Sequence, residues 1–483
     1  MAFVDPALQH AYDGQRLYVD AAATLNSLRS APQKSAHGFE IVCLGVGGGP
    51  LETDCSCYAI KTWGTSWLDS YVVIEGGSWL GGMSRVLELQ ASHQCAGFGD
   101  LALSSSPPSS ANVSNLSGWT SKASSSSVSS KVGYLASRAE AFLISHAHLD
   151  HTYGLILASA VTSPPKPVYA LESPLAAFEG IFGTGVWPSV VRREQSPEFA
   201  RGVDAGTKPA RTAQIHNAAA DTGVGYVLRA LQPRRPQSLT KEISVLAFEL
   251  SHGLCAAACN GEGSGSANIL AADHPHTTSG PHERLRSTAF FLTNVATGQN
   301  LLLFGDVETD RLSRTDLNYQ VWMHASEAIC QGRLSTIMIE CSFDSSQPEE
   351  LLFGHMNPAG LYEELKVLAR LVAIRANTEH ASRWDGALQT HALSRPTEMN
   401  DDHTAKRGAK ALQGLIVVVT HVKASISPAK RPSADDFGAE HAPLEVGPHD
   451  MRDQIFRELL ALEEKFGLGV RFVMAVQGMK IDC

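Results

Sequence analysis

The sequence holds no run of lysine or arginine, and 39 Lys+Arg against 49 Asp+Glu leave a formal net charge of −10 with histidine neutral. Binding to polymeric RNA or DNA draws on clustered basic side chains that neutralise phosphates, so nucleic acid is not expected as a partner. No window approaches the roughly 20 apolar residues that span a bilayer. The opening MAFVDPALQHAYDGQRLYVD also lacks the basic start and apolar stretch of a secretory leader. No membrane partner is expected, and the expected location is cytoplasmic. The nine cysteines, Cys43, Cys55, Cys57, Cys95, Cys255, Cys259, Cys330, Cys341 and Cys483, are odd in number and lack the spacing of a disulfide scaffold or a zinc ribbon. They read as reduced thiols. No repeat of fixed period is visible, which argues against solenoids and propellers.

What the chain does have is core-forming material. Over 483 residues, 43% are hydrophobic and 18% charged, the balance of a packed globular protein. FEIVCLG after Gly38 and YVVIEGG around Val72 each read as a strand running into a glycine turn. Further strands are expected at AFLIS before His146, PVYAL (167–171), ISVLAFELS (243–251), TAFFLTN (288–294), NLLLFGD (300–306), TIMIECS (336–342), LIVVVTH (415–421) and VRFVMAV (470–476). Many are continuous apolar runs, which suits strands covered on both faces. Helices are expected over DRLSRTDLNYQVWMHASEAICQ, AGLYEELKVLARLVAIRA and DMRDQIFRELLALEEKF, the last stopping at Gly467. The expected class is α/β, one core domain over 1–483. Polar stretches at 102–132 (serine-rich), 196–225, 255–286, 377–412 and 424–448 interrupt it as disordered or surface insertions.

The densest chemical signal is His146-Ala147-His148-Leu149-Asp150-His151, directly after an apolar strand. Imidazole nitrogen and carboxylate oxygen are donors suited to zinc. Alternate residues of a turn can aim His146 and His148 at one ion while Asp150 and His151 face another, so two adjacent sites follow. Six residues cannot fill two coordination shells. The remaining candidates close later apolar runs: His252 after ISVLAFELS, Asp306 after NLLLFG and His421 after LIVVVT, each where a strand meets a loop. Alone, His252 or His421 is an ordinary strand-end histidine and Asp306 a turn or helix cap; the repeated placement is what argues for a centre. Gly45 to Pro50 has Pro50 where a dinucleotide loop needs its third glycine and reads as a tight turn. Glu340 ends a strand and could orient a ligand histidine.

The segment HAHLDHTYGLILASA, His146 to Ala160, resembles the signature of the class II cyclic-nucleotide phosphodiesterases, a family of the metallo-β-lactamase fold. The blocks LGVGGGP, SHG, LLFGDVETD, IECSF, LFGHMNP and THVK agree in order. Thr152 stands where the family usually has an aliphatic residue, a packing difference beside the ligands. The resemblance implies an αβ/βα sandwich holding two divalent metal ions, zinc first, with manganese and iron as alternatives. It makes His146, His148 and His252 ligands of one ion and Asp150, His151 and His421 ligands of the other, bridged by Asp306. A metal-bridging hydroxide would open a 3′,5′-cyclic nucleotide, cyclic AMP first and cyclic GMP second, to the 5′-monophosphate, lowering cyclic-nucleotide signalling. Asp150 and Asp306 are thereby candidate catalytic residues, and His355 in GHMNP is a general acid or phosphate contact, or else a hydrogen-bonded loop histidine. Other readings of the cluster are a metallo-β-lactamase-fold hydrolase of thioesters, lactones or RNA ends, and a non-catalytic scaffold. The oligomeric state is open, with a homodimer the first case to consider.

Overall fold

The computed structural model describes residues 37–99, 127–194, 223–256, 282–382, 410–424 and 451–483. In chain order the first strands are β1 (Phe39–Gly45), β2 (Cys57–Thr62), β3 (Tyr71–Ile74), β4 (Ala139–Leu143), β5 (Lys166–Leu171), β6 (Val191–Arg193) and β7 (Tyr226–Leu231). They are followed by β8 (Gln237–Ser238), β9 (Ile243–Ala256), β10 (His282–Asn294), β11 (Asn300–Phe304), β12 (Leu334–Glu340), β13 (Ile416–Thr420), β14 (Arg471–Met474) and β15 (Lys480–Asp482). The helices are α1 (Trp79–Ala91), α2 (Val128–Ser137), α3 (Leu149–Ala158), α4 (Glu172–Glu179), α5 (Asp310–Ser313), α6 (Leu317–Cys330), α7 (Pro358–Ser382) and α8 (Met451–Phe466).

Two sheets result. One is 8-stranded, in the order β15-β1-β2-β3-β4-β5-β7-β6; the other is 7-stranded, in the order β14-β13-β12-β11-β10-β9-β8. Alternation along β1 explains why it reads as one apolar run. Phe39, Ile41 and Cys43 face the core between the sheets, while Val42 and Leu44 join Trp79, Met83 and Val86 of α1 in a second core on the outer side. Helices α6, α7 and α8 cover the other sheet through Val321, Trp322, Leu361, Leu365, Ile455 and Leu459. Helix, sheet, sheet, helix is the metallo-β-lactamase sandwich, as expected.

The structure departs from the sequence reading in three places. The helix expected across 310–331 is two helices: Arg314 turns left-handed (φ 54), and the Asp310 carboxylate accepts the backbone N–H of Asn318 and Tyr319 at 3.0 and 2.8 Å, starting α6 afresh. Strand β9 does not end at Ser251 but continues to Ala256. Finally, α2 begins inside the serine-rich stretch, residues 223–225 lead into β7, the β9–β10 arms extend to Ala256 and His282, and α7 continues to Ser382. Polar composition marks a surface but not the end of backbone pairing, as the register Glu283↔Cys255 and Arg284↔Leu254 shows. Most of the five polar stretches lies outside the described residues.

Candidate active site

Strand β4 ends at Leu143 and the chain turns at Ser145-His146 before His148 opens α3 as its N-terminal cap residue, with φ −62 and ψ 150. Asp150 and His151 therefore occupy the first turn of a helix rather than a free loop. The His148 carbonyl accepts the His151 N–H at 3.0 Å and the Thr152 hydroxyl at 2.9 Å. Thr152, the position that departs from the family pattern, thus ties down the turn that carries three of the candidates. His252 arrives differently. Ser251 pairs with Arg286 and Leu254 with Arg284, so His252 and Gly253 together face the single Leu285. Gly253 takes φ +78 in this bulge, a device that re-aims a side chain out of the ladder.

All these side chains meet at Asp306. Its Oδ2 lies 3.1 Å from His421 Nε2, 3.5 Å from His252 Nε2, 3.6 Å from His146 Nε2 and 3.7 Å from His355 Nδ1, and its Oδ1 lies 3.1 Å from His151 Nε2. His148 Nδ1 is 3.3 Å from His252 Nε2, and Asp150 Oδ2 is 3.7 Å from His421 Nε2. Ligand atoms within 4.8 Å of one another form three groups: His146, His148, His252 and Asp306; Asp150, His151, Asp306 and His421; and His252, Asp306, Glu340 and His355. The first two contain all seven residues that the sequence assigns to metal.

The opposite ring nitrogens are held from behind. His146 Nδ1 is 2.9 Å from Ser145 Oγ, His421 Nδ1 3.0 Å from Ser56 Oγ and His252 Nδ1 2.9 Å from the Gly354 carbonyl. His151 Nδ1 is 3.4 Å from a Glu75 carboxylate that also accepts the Ser145 N–H. The partners of His146, His421 and His252 fix ring orientation and leave Nε2 for the centre, whereas His151 Nδ1 makes no hydrogen bond among the described residues and meets Glu75 only as a charge contact. Glu75, Ser56 and Ser145 were missed in the sequence; the only signal was Glu75 at the end of an apolar strand, and its partner is 76 residues further along (151 − 75).

Buried polar atoms are nearly always hydrogen-bonded. Yet His146 Nε2, His151 Nε2 and Asp306 Oδ2 are buried with no hydrogen bond among the described residues, and all three face the same space. With only nitrogen and oxygen donors in the three groups, that is the donor set of a divalent-cation site. Burial lowers the proton affinity of His146, His252 and His421, and takes His148 down to about 4. These rings favour the neutral form a cation needs. For His151 burial acts the same way, but the carboxylates of Asp306, Glu75 and Asp150 outweigh it and raise its proton affinity. Burial resists ionisation of Asp306, and the surrounding His151, His421 and His146 overcome it, holding the carboxyl well below its ordinary range.

His355 is buried, and its Nδ1 lies 3.0 Å from both Glu340 oxygens. Glu340 also accepts the Val307 N–H at 2.6 Å and the Ser342 hydroxyl. Burial and then the charge of Asp306 push Glu340 up to about 7, while burial takes His355 down to about 4. Glu340 therefore orients His355 rather than one of the seven metal candidates.

A sandwich whose rim gathers imidazoles and carboxylates in groups that could hold metal ions is the arrangement of the metallo-β-lactamase fold. The family model for class-II cAMP phosphodiesterases matches residues 112–478, and the chain belongs to that family. The 3′,5′-cyclic-nucleotide phosphodiesterase of Schizosaccharomyces pombe is 27% identical over 341 residues, 70% of this chain and 77% of its own length. The 3′,5′-cyclic-nucleotide phosphodiesterase 1 of Saccharomyces cerevisiae is 23% identical over 470 residues, 91% of this chain and 98% of its own. Among solved structures, unliganded yeast PDE1 superposes with a TM-score of 0.60 at 21% identity, covering 92% of this chain and 100% of that one. No helix among the described residues is long and apolar enough to cross a membrane.

Proposed function

We propose that this chain hydrolyses 3′,5′-cyclic nucleotides, cyclic AMP first and cyclic GMP second, to 5′-monophosphates. The observation that carries the reading is the convergence of two four-residue donor groups on Asp306 in a member of this family. His146, His148, His252 and Asp306 would hold one divalent cation, and Asp150, His151, His421 and Asp306 a second, with zinc the best match to the donors. When bound, two such ions would supply an activated water and neutralise phosphoryl oxygens.

The chain's own contribution is position and proton. Asp306 and Asp150 would hold the ions, and through them the reacting phosphoryl group, in a fixed place relative to the histidine rings. As water adds to phosphorus, the bond to the 3′ oxygen breaks, and that oxygen must take a proton to leave as a hydroxyl. His355 is the donor in this reading: the ring itself is neutral, and as Nε2 gives up its proton to the leaving oxygen, the Glu340 carboxyl, which burial pushes up to about 7, passes its own proton to Nδ1. A cytoplasmic location is part of the same proposal, and a homodimer is the first assembly to test.

Purified protein should release 5′-AMP from cyclic AMP, and prior treatment with a chelator should abolish release until zinc is restored. A protein that retains bound metal but leaves cyclic AMP and cyclic GMP intact would redirect the reading to thioesters, lactones or RNA ends.

A further inference from the structure

We propose that the apolar cleft beside Asp150 seats the nucleoside of the substrate, with Tyr153 as the platform for its base and Lys423 meeting its phosphoryl group. The proposal rests on the cyclic-nucleotide reading above. The cleft has a volume of about 480 Å³, with Pro50, Leu149, Asp150, Tyr153 and Lys423 among its lining residues, within the range of small-molecule sites.

Helix α3 shows a division of labour that core packing does not explain. It buries His151, Thr152, Leu155 and Ile156, yet leaves Leu149 64% and Tyr153 39% exposed. Residues four apart lie on one face of a helix, so Leu149 and Tyr153 form one apolar wall, and both line the cleft. Asp150, between them in sequence, reaches instead toward His421. One helical turn thus serves the metal side and the cleft side together. Lys423 stands at the junction: its Nζ is 3.4 Å from Asp150 Oδ2 and 3.4 Å from His421 Nε2, with the side chain 25% exposed. An anion entering the Asp150–His421 group from the cleft finds that ammonium beside it, the one cationic side chain among the described residues of a lining that also includes Glu52 and Asp150. An aromatic face accepts any base by stacking, so the cleft should take adenine and guanine alike.

The test uses the full chain loaded with zinc. Tyr153→Ala should raise KM for cyclic AMP and cyclic GMP by roughly 10- to 100-fold, the span of base–aromatic stacking, with kcat little changed. Inhibition by 5′-AMP should weaken in step while inhibition by inorganic phosphate does not move, and Tyr153→Phe should recover most of the affinity. Lys423→Met should weaken inhibition by both 5′-AMP and phosphate with metal content intact. Unchanged KM and 5′-AMP inhibition in Tyr153→Ala would overturn the proposal. A changed oligomeric mass in that variant would also overturn it, by giving the stripe of Leu149, Tyr153 and Leu157 to a second copy. If the wild type hydrolyses neither cyclic nucleotide, the functional reading fails, and the contrast between 5′-AMP and phosphate binding still reports on the cleft.

Discussion

Gly48 has no space for a side chain. A Cβ there would lie 2.7 Å from His421 Cδ2 and Nε2 and 2.8 Å from the His421 carbonyl oxygen. His421 cannot yield easily: its φ is 58, its N–H donates to the Val46 carbonyl at 2.7 Å and its Nδ1 meets Ser56. Gly48→Ala is expected to push the imidazole off Asp306, removing metal from the Asp150–His151–His421 group and lowering turnover by about 100-fold or more. Metal analysis beside activity checks this; full metal content with normal turnover would refute it. At this scale the sequence was legible where chemistry is contiguous. His146 to His151 could be recognised because six adjacent residues carry four candidate ligands, three imidazoles and a carboxylate. The residues that hold the rings could not, since Ser56 and His421 are 365 positions apart, and a lone serine carries no pattern. His355 was visible as a histidine, but its Glu340 partner became specific only once β12 and the 355 loop were brought together.

Elements were legible where both faces of a strand are buried, because apolar runs then leave an unbroken trace. The bulge at His252 was not, since a bulge belongs to the register of two strands and half of that register is the polar sequence of β10. The break between α5 and α6 depends on Asp310 capping a new helix, which competes with a continuous helical pattern. A buried carboxylate next to this break allows a prediction. Glu364 of α7 accepts the Asp310 N–H at 2.8 Å and the Trp322 indole N–H at 2.7 Å. Burial, then the charge of Asp310, push it from its ordinary value of 4.5 up to about 7. The folded state therefore holds a proton that the unfolded state has released between those two values. Its contribution to stability is fully present below about 4.5, falls as pH rises through about 7, and is constant above. Glu364→Gln, which keeps an acceptor oxygen without the charge, should gain on the wild type by on the order of 1–3 kcal/mol between pH 5 and pH 8. Urea denaturation at the two pH values measures the gain; a pH-independent difference would assign the effect elsewhere.

At the scale of the whole molecule, strand order was beyond the sequence, because pairing of β1 with the distant β15 (Glu40↔Asp482, Ile41↔Ile481) leaves no local mark. The same closure carries a latch between distant parts of the sequence. Arg452, at the start of α8, donates to Asp54 Oδ2 at 2.8 Å and to the Ala475 carbonyl at 2.8 Å. Asp54 Oδ1 accepts the Val46 N–H at 3.0 Å, and the Val46 carbonyl in turn accepts the His421 N–H. Helix α8 is thereby connected to a metal candidate through three contacts. Burial raises the Asp54 pKa and the Arg452 guanidinium opposes that rise, so removing the arginine leaves a largely enclosed carboxylate uncompensated. Arg452→Ala should cost about 2 kcal/mol, less than for a fully buried pair because both side chains keep some solvent contact. Adding Asp54→Asn should return part of that loss, giving a non-zero coupling in the double-mutant cycle. The contact path further requires zinc affinity to fall in Arg452→Ala, because Val46 loses the fixed carboxylate that sets its backbone. A stability loss with zinc affinity unchanged would make the latch a global fastening alone and sever α8 from the centre.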